Sequence, residues 1–132
     1  MAKALGVGGI FFKSRSPRKL AQWYSRCLGF PLAGPTMAMF KPSHAKASYT
    51  VWSVFSASSR YFKPSASRHM VNFVVDDVEG VLAKVVAARG KTVVRVQDTP
   101  YGRFGWFVDP DGNKVELWQL VPVKRRGSTK RR

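Results

Sequence analysis

Residues Gly102 to Gln119 read GRFGWFVDPDGNKVELWQ. Aromatic and β-branched residues flank the DPDGN segment, which predicts two strands folded about a turn. Asp, Pro, Gly and Asn supply the backbone angles and local hydrogen bonds that a tight turn needs. Glu116 stands in the middle of the second strand. A carboxylate there can serve as a metal ligand, as a general base, or as a partner for an arginine such as Arg103. Which of these it is decides much of the function.

Upstream of the hairpin lies HMVNFVVDDVEGVLAKVVAARGK, residues 69–91. It reads as an apolar strand from Met70 to Val75, an Asp76-Asp77 start, and a helix. Val78, Val81, Leu82, Val85 and Val86 form the helical stripe, and Gly90 ends it. The first half repeats the plan in SPRKLAQWYSRCLGF, residues 16–30. Ser16 is expected to cap, Pro17 fits the first helical position, and Gly29 ends the helix. Leu20, Trp23, Tyr24, Cys27 and Leu28 form its apolar face. Placing Gly29 on Gly90 gives an offset of 61 residues, which sets Ile10 on Val71, Phe12 on Phe73 and Ser16 on Asp77. Strand-like segments follow each helix: PLAG, MAMFK and SYTVWSVF after the first, and KTVVRVQ, YGRFGWFV and NKVELWQL after the second. The predicted fold is therefore α+β, two βαβββ modules with helices packed on one side of the sheets.

The chain has 132 residues, enough for one domain with a real core. That domain is expected over 1–123. Module one falls at about 7–56, a polar linker at 57–68 and module two at 69–120. The basic tail, 124–132, is predicted to be disordered. No apolar run approaches the ~18 residues of a membrane span. The opening MAKALGVGGIFF leads straight into a strand pattern and does not read as a signal peptide. A single cysteine, Cys27, excludes an internal disulfide and fits a reducing, cytoplasmic setting.

Charge is the anomaly. Twenty-three Lys and Arg face seven Asp and Glu, for a net +16. The first carboxylate is Asp76, so residues 1–75 carry 11 cations and no acid. Without the six cations of the tail the chain keeps a net charge of +10. Arg18 and Lys19 even occupy the first turn of a helix, where the dipole favours anions. Such a chain binds polyanions, nucleic acid included, in a salt-dependent way. A charge-altered scaffold, natural or engineered for solubility, would carry the same signature.

WYSRCLGF, VVDDVEGVLAKVVAARG and FVDPDGNKVELWQ together resemble the vicinal oxygen chelate superfamily, which holds glyoxalase I, bleomycin-resistance proteins and extradiol dioxygenases. The resemblance runs from about residue 7 to 120 and implies a sheet curled into an open cleft, and a homodimer. In metal-bearing members four side chains hold a divalent ion, two from each module. Carried over, these positions are Gly9, Phe55, Met70 and Glu116. Only Glu116 carries a suitable donor, whereas a catalytic site needs about three. Substituting His69 for Met70 would mean a one-residue slip, which turns the side chain to the other face. No metal and no cofactor are therefore expected. A metal-dependent lyase or dioxygenase is the alternative if the alignment is wrong.

The remaining candidates carry no catalytic pairing. His44 and His69 lack a telling partner, and Cys27 reads as a buried thiol. No phosphate loop, CxxC, HExxH or GxSxG is present. Aromatic residues are abundant on the predicted strands, and alternation sends part of them to the cleft and part to the core. Trp52, Trp106 and Glu116 are the expected cleft residues, with Asn72 and Arg103 orienting polar groups of a ligand. The expected function is sequestration of a small, partly aromatic organic molecule without metal catalysis, in the manner of a bleomycin-resistance-like protein. The alternative is a basic scaffold for nucleic acid or other polyanions.

Overall fold

The computed structural model describes residues 9–41 and 50–120. The predicted tail and His44 lie outside these residues.

Helix α1 spans Pro17–Leu28. Leu20, Trp23, Tyr24 and Cys27 are its buried positions, as the helical stripe requires. Ser16 stands at the N-cap, but its hydroxyl makes no capping bond. Its backbone N–H donates instead to Ser14 Oγ at 3.1 Å. Proline at the first position has no N–H to satisfy, so the loss is small. Gly29 ends the helix in the left-handed conformation, φ 67°, with its N–H on the Ser25 carbonyl.

A short antiparallel hairpin follows, β1 (Leu32–Gly34) and β2 (Met37–Ala38). Here the first module departs from expectation. Neither Ile10–Phe12 nor residues 50–55 form a hydrogen-bonded strand among the described residues. Their apolar side chains are exposed, Phe11 to 95% and Trp52 to 79%. Strand propensity alone does not make a ladder: a partner strand must supply the bonds.

The second module follows the predicted plan except in KTVVRVQ, which forms no single strand: residues 93–96 lie outside the ladder, with Val94 at φ 65°. It comprises β3 (Val71–Val74), α2 (Val78–Ala87), β4 (Lys91–Thr92), β5 (Gln97–Thr99), β6 (Gly102–Val108) and β7 (Lys114–Leu120). The sheet is mixed and open, in the order β3-β7-β6-β4, with β5 also on β6. β3 runs parallel to β7 and the remaining pairs are antiparallel. Asp77 caps α2 by accepting the Gly80 N–H at 3.0 Å. Gln119 Oε1, from the last strand, accepts the Val78 N–H at 2.9 Å. Two orphan donors of the helix are thus satisfied.

α2 does not run to Gly90. It closes at Ala87, and the left-handed residue is Arg89, φ 65°. Gly90 has another task. A Cβ there would lie 2.6 Å from Val85 Cγ1 and 3.2 Å from the Trp23 ring. Gly105 does the same for the sheet: a Cβ would lie 2.6 Å from Val78 Cγ1. These two glycines let α1, α2 and the sheet approach closely. The core joins Leu20, Trp23, Tyr24 and Cys27 to Val78, Val81, Val85, Phe107, Val115 and Leu117.

One polar centre ties α1 to the hairpin turn. Asp109 is 4% exposed. Its Oδ1 accepts the backbone N–H groups of Asp111 and Asn113, each at 2.9 Å. Its Oδ2 accepts Asn113 Nδ2 at 3.0 Å and the Tyr24 hydroxyl at 2.9 Å. Burial, followed by the Asp109 charge, pushes the Tyr24 phenol well above the ordinary tyrosine range.

Candidate functional site

The register of the sheet separates its two faces. Side chains alternate along each strand. Phe73, Leu117, Gly105, Val115 and Phe107 face the helices and join or adjoin the core. Their neighbours in sequence face away. There, Asn72 pairs with Glu116, and Glu116 with Trp106, in one row across three strands. The next row carries Val74, Trp118 and Phe104, and Lys114 follows Glu116 on β7.

Aromatic rings dominate this face. Phe104 stacks on Trp118 with centroids 5.9 Å apart and planes 8° apart. Phe104 and Trp106 are 6.4 Å apart at 19°. Trp106 is only 3% exposed, because the Tyr61 ring stands edge-on over it at 6.2 Å. Tyr61 comes from the turn-rich segment 56–65, where Phe55 stacks on it at 5.4 Å and Phe62 packs edge-on to Phe55.

Glu116 is held by donors. Oε1 accepts the Tyr61 hydroxyl at 3.1 Å, and Oε2 accepts Asn72 Nδ2 at 3.2 Å. Burial first, then the Glu116 charge and hydrogen bond, push the Tyr61 phenol up to about 12. The Trp106 N–H acts weakly in the opposite sense. It lies outside hydrogen-bond geometry, and Trp106 Nε1 is buried with no partner among the described residues. Lys114 lies beneath Tyr61, 5% exposed. Its Nζ donates to the Tyr61 carbonyl at 2.6 Å and sits 5.0 Å and 5.9 Å from the Tyr61 and Trp106 ring centroids. Burial holds its amine below the usual lysine range, and Glu116 partly offsets this.

Of the five residues expected in the cleft, three come together: Asn72, Trp106 and Glu116. Arg103 sits on the opposite face. It pairs with Glu79 of α2 at 3.1 Å and with Asp98 of β5 at 2.8 Å. Its hydrogen bond and charge contact with Asp98, then the charge of Glu79, raise its pKa further. The expected alternative, a Glu116–Arg103 pair, is therefore replaced by Tyr61 and Asn72. Trp52 lies exposed in an unpaired segment. Tyr61 and Lys114 were not among the expected residues. Lys114 had a signal, since it shares the period-two face of Glu116 and Trp118. Tyr61 had only a weak one, an aromatic pair inside a polar linker.

Of the four positions that the resemblance carries over as metal ligands, only Glu116 offers a suitable donor. Gly9 offers no side chain, Phe55 is stacked on Tyr61, and Met70 offers a thioether. Among the described residues no group of three or more His, Cys, Asp and Glu could hold a metal. His69 is exposed, and Cys27 is buried with its thiol pushed up by burial. Two surface depressions lie elsewhere. One of about 610 Å³ lies between α2 and residues 92–96, and one of about 560 Å³ lies between Lys13–Arg15 and the DPDGN turn. No helix among the described residues is long and apolar enough to cross a membrane.

A family model described as "Glyoxalase-like domain" matches residues 9–118. Among solved structures, TnmS3, an antibiotic binding protein from Streptomyces sp. CB03234, is 31% identical over 39% of this chain and 41% of its own, with a TM-score of 0.35. A glyoxylase/bleomycin resistance protein/dioxygenase domain from Frankia sp. EAN1pec is 17% identical over 52% of this chain and 50% of its own, with a TM-score of 0.36. The chain thus spans half or less of the length of either. A protein of unknown function from Agrobacterium tumefaciens str. C58 covers 89% of this chain with 100% of its own, at 16% identity and a TM-score of 0.52, a likeness of fold alone. No curated protein matches the chain.

Proposed function

Because the chain belongs to the glyoxalase-like domain family, within the vicinal oxygen chelate superfamily, we propose that it binds a small, partly aromatic organic molecule on the open face of its five-stranded sheet and does so without divalent-metal catalysis. One observation carries this reading. The buried Trp106 N–H has no partner among the described residues, and it lies in an aromatic tier edged by a carboxylate. A buried donor without an acceptor costs about 1–3 kcal/mol, which a ligand acceptor would recover. The Phe104–Trp118 stack offers a flat apolar surface, and Glu116 offers an acceptor for a donor or cationic group of the same molecule. Lys114 would form the back wall, and Tyr61 stands over the edge of Trp106. The mode is sequestration: Glu116 faces neither an electrophile nor a second carboxylate in its row.

The test is a thermal-shift screen of flat aromatic compounds. Zn, Ni, Mn and Fe are run in parallel with a chelator control. A ligand of the native state raises the midpoint with its concentration. The rise should shrink in Trp106→Phe, which keeps an apolar ring and loses the N–H, and in Glu116→Gln. A chelator-reversible rise with a metal would overturn the reading, as would aromatic ligands whose effect ignores both substitutions.

A further inference from the structure

We infer that the outer face of α1 is a docking surface for the phosphate backbone of a nucleic-acid duplex, independent of the open-face site. Helical periodicity puts Arg18, Lys19, Gln22 and Arg26 on one side of α1, opposite the buried Leu20, Trp23, Tyr24 and Cys27. All four are exposed, and Arg15, also exposed, precedes the helix. Three cations therefore lie on one stripe of α1, with a fourth, Arg15, just ahead of it. Among the described residues none of them is paired with a carboxylate, and the first 75 residues contain no acid at all.

The acids of the second half are largely committed elsewhere. Arg103 holds Glu79 and Asp98, the turn encloses Asp109, Asp77 caps α2, and Glu116 faces the open side. Asp111 lies across the depression lined by Lys13, Ser14 and Arg15.

The stripe also has a fitting length. From Arg18 to Arg26 the helix rises about 12 Å. A duplex strand carries one phosphate per roughly 3.4 Å of axis, so three to four phosphates fall within reach. Arg18 and Lys19 oppose the helix dipole, a small cost that an incoming polyanion would offset. An anionic membrane is the competing partner, and Phe11 is exposed just before α1. Yet an interfacial helix must insert its apolar face, and that of α1 is spent on the core.

The experiment is fluorescence anisotropy of the full chain with a labelled random-sequence duplex of about 20 base pairs, titrated from about 50 to 200 mM salt. Three proteins are compared: wild type, Arg15→Gln/Arg18→Gln/Lys19→Gln/Arg26→Gln, and a control with the same charge loss, Arg60→Gln/Arg68→Gln/Lys91→Gln/Arg95→Gln. Releasing about four counterions gives the stripe a slope of roughly −3.6 in log K against log salt, a factor of about 10² over that range. The α1 variant should lose most of this slope, while the control loses less than about one unit. Equal losses in both would reduce the effect to net charge and overturn the inference. So would an absence of duplex binding in wild type. Vesicles of phosphatidylcholine with phosphatidylserine form a further arm, and stripe-dependent binding to these but not to duplex overturns it in favour of a membrane. Circular dichroism melts confirm that both variants remain folded.

Discussion

Tyr24→Phe removes one hydroxyl from the clamp between α1 and the DPDGN turn. The ring contacts with Trp23, Phe30, Phe73 and Phe107 survive the change. Asp109 keeps three of its four donors and loses the one from α1. A hydrogen bond to a buried charged group contributes about 1.5–3 kcal/mol, so the expected loss is about 2 kcal/mol. The assay is urea unfolding at about pH 8, where the midpoint falls at unchanged m. The pH dependence makes the prediction sharper. The folded Tyr24 pKa is raised, so its contribution is complete below the unfolded value of about 10 and is lost as pH rises beyond it. Above pH 10 the native state cannot release the proton that the unfolded chain releases. Wild type therefore loses about 1.4 kcal/mol per pH unit relative to the variant, and the gap narrows to roughly 0.6 kcal/mol near pH 11. A gap below about 0.5 kcal/mol at pH 8 would refute the clamp, and a gap that stays flat to pH 11 would refute the buried phenol.

Three further outcomes are expected. Tyr61 is 37% exposed, so its raised pKa contributes only about 1 kcal/mol after screening, present below pH 10 and lost between 10 and about 12. Tyrosinate absorbance of wild type against Tyr61→Phe reads this ionisation directly, and Glu116→Gln should move it to lower pH. Gly105→Ala presses a methyl on Val78 and Leu82, and the overpacking of about 1–3 kcal/mol outweighs the 0.4–1 gained in the unfolded chain, giving a net loss of about 1 kcal/mol in the same urea assay. Cys27, buried and with a raised pKa, should resist alkylation until denaturant unfolds the chain, and mass spectrometry along a urea series checks this.

The second module was legible because each of its signals is local. The DPDGN turn is set by the Asp109 side chain, the α2 cap by Asp77, and the first strand by the apolar residues Val71, Phe73 and Val74. All act within a few residues of chain. The site itself depends on register, which no local signal fixes. Arg103 was expected in the cleft beside Trp106, yet an odd spacing on β6 puts the two on opposite faces. Asn72 meets Glu116 only because β3 lies parallel to β7, a pairing across 44 residues. The first module is less legible for a different reason. Its segments carry strand-like residues, but such a pattern records a preference for a half-buried surface and cannot supply the neighbour that makes one. Gly90 does not end α2, because glycine serves two purposes, left-handed backbone and close contact. Here Arg89 takes the first and Gly90 the second.

Lys114 gives the molecule a built-in clock. Its amine is sealed under Tyr61 and tied to that residue's carbonyl, so an acylating reagent in water reaches it only when segment 56–65 lifts away. Its labelling rate is then the intrinsic rate multiplied by the opening equilibrium, while exposed lysines label at their own pace and serve as internal standards. A ligand that displaces Tyr61 to reach Trp106 will speed the modification of Lys114. A ligand that settles on the stacked Phe104 and Trp118 will slow it. The sign of that change tells whether Tyr61 is a wall of the binding site or its door.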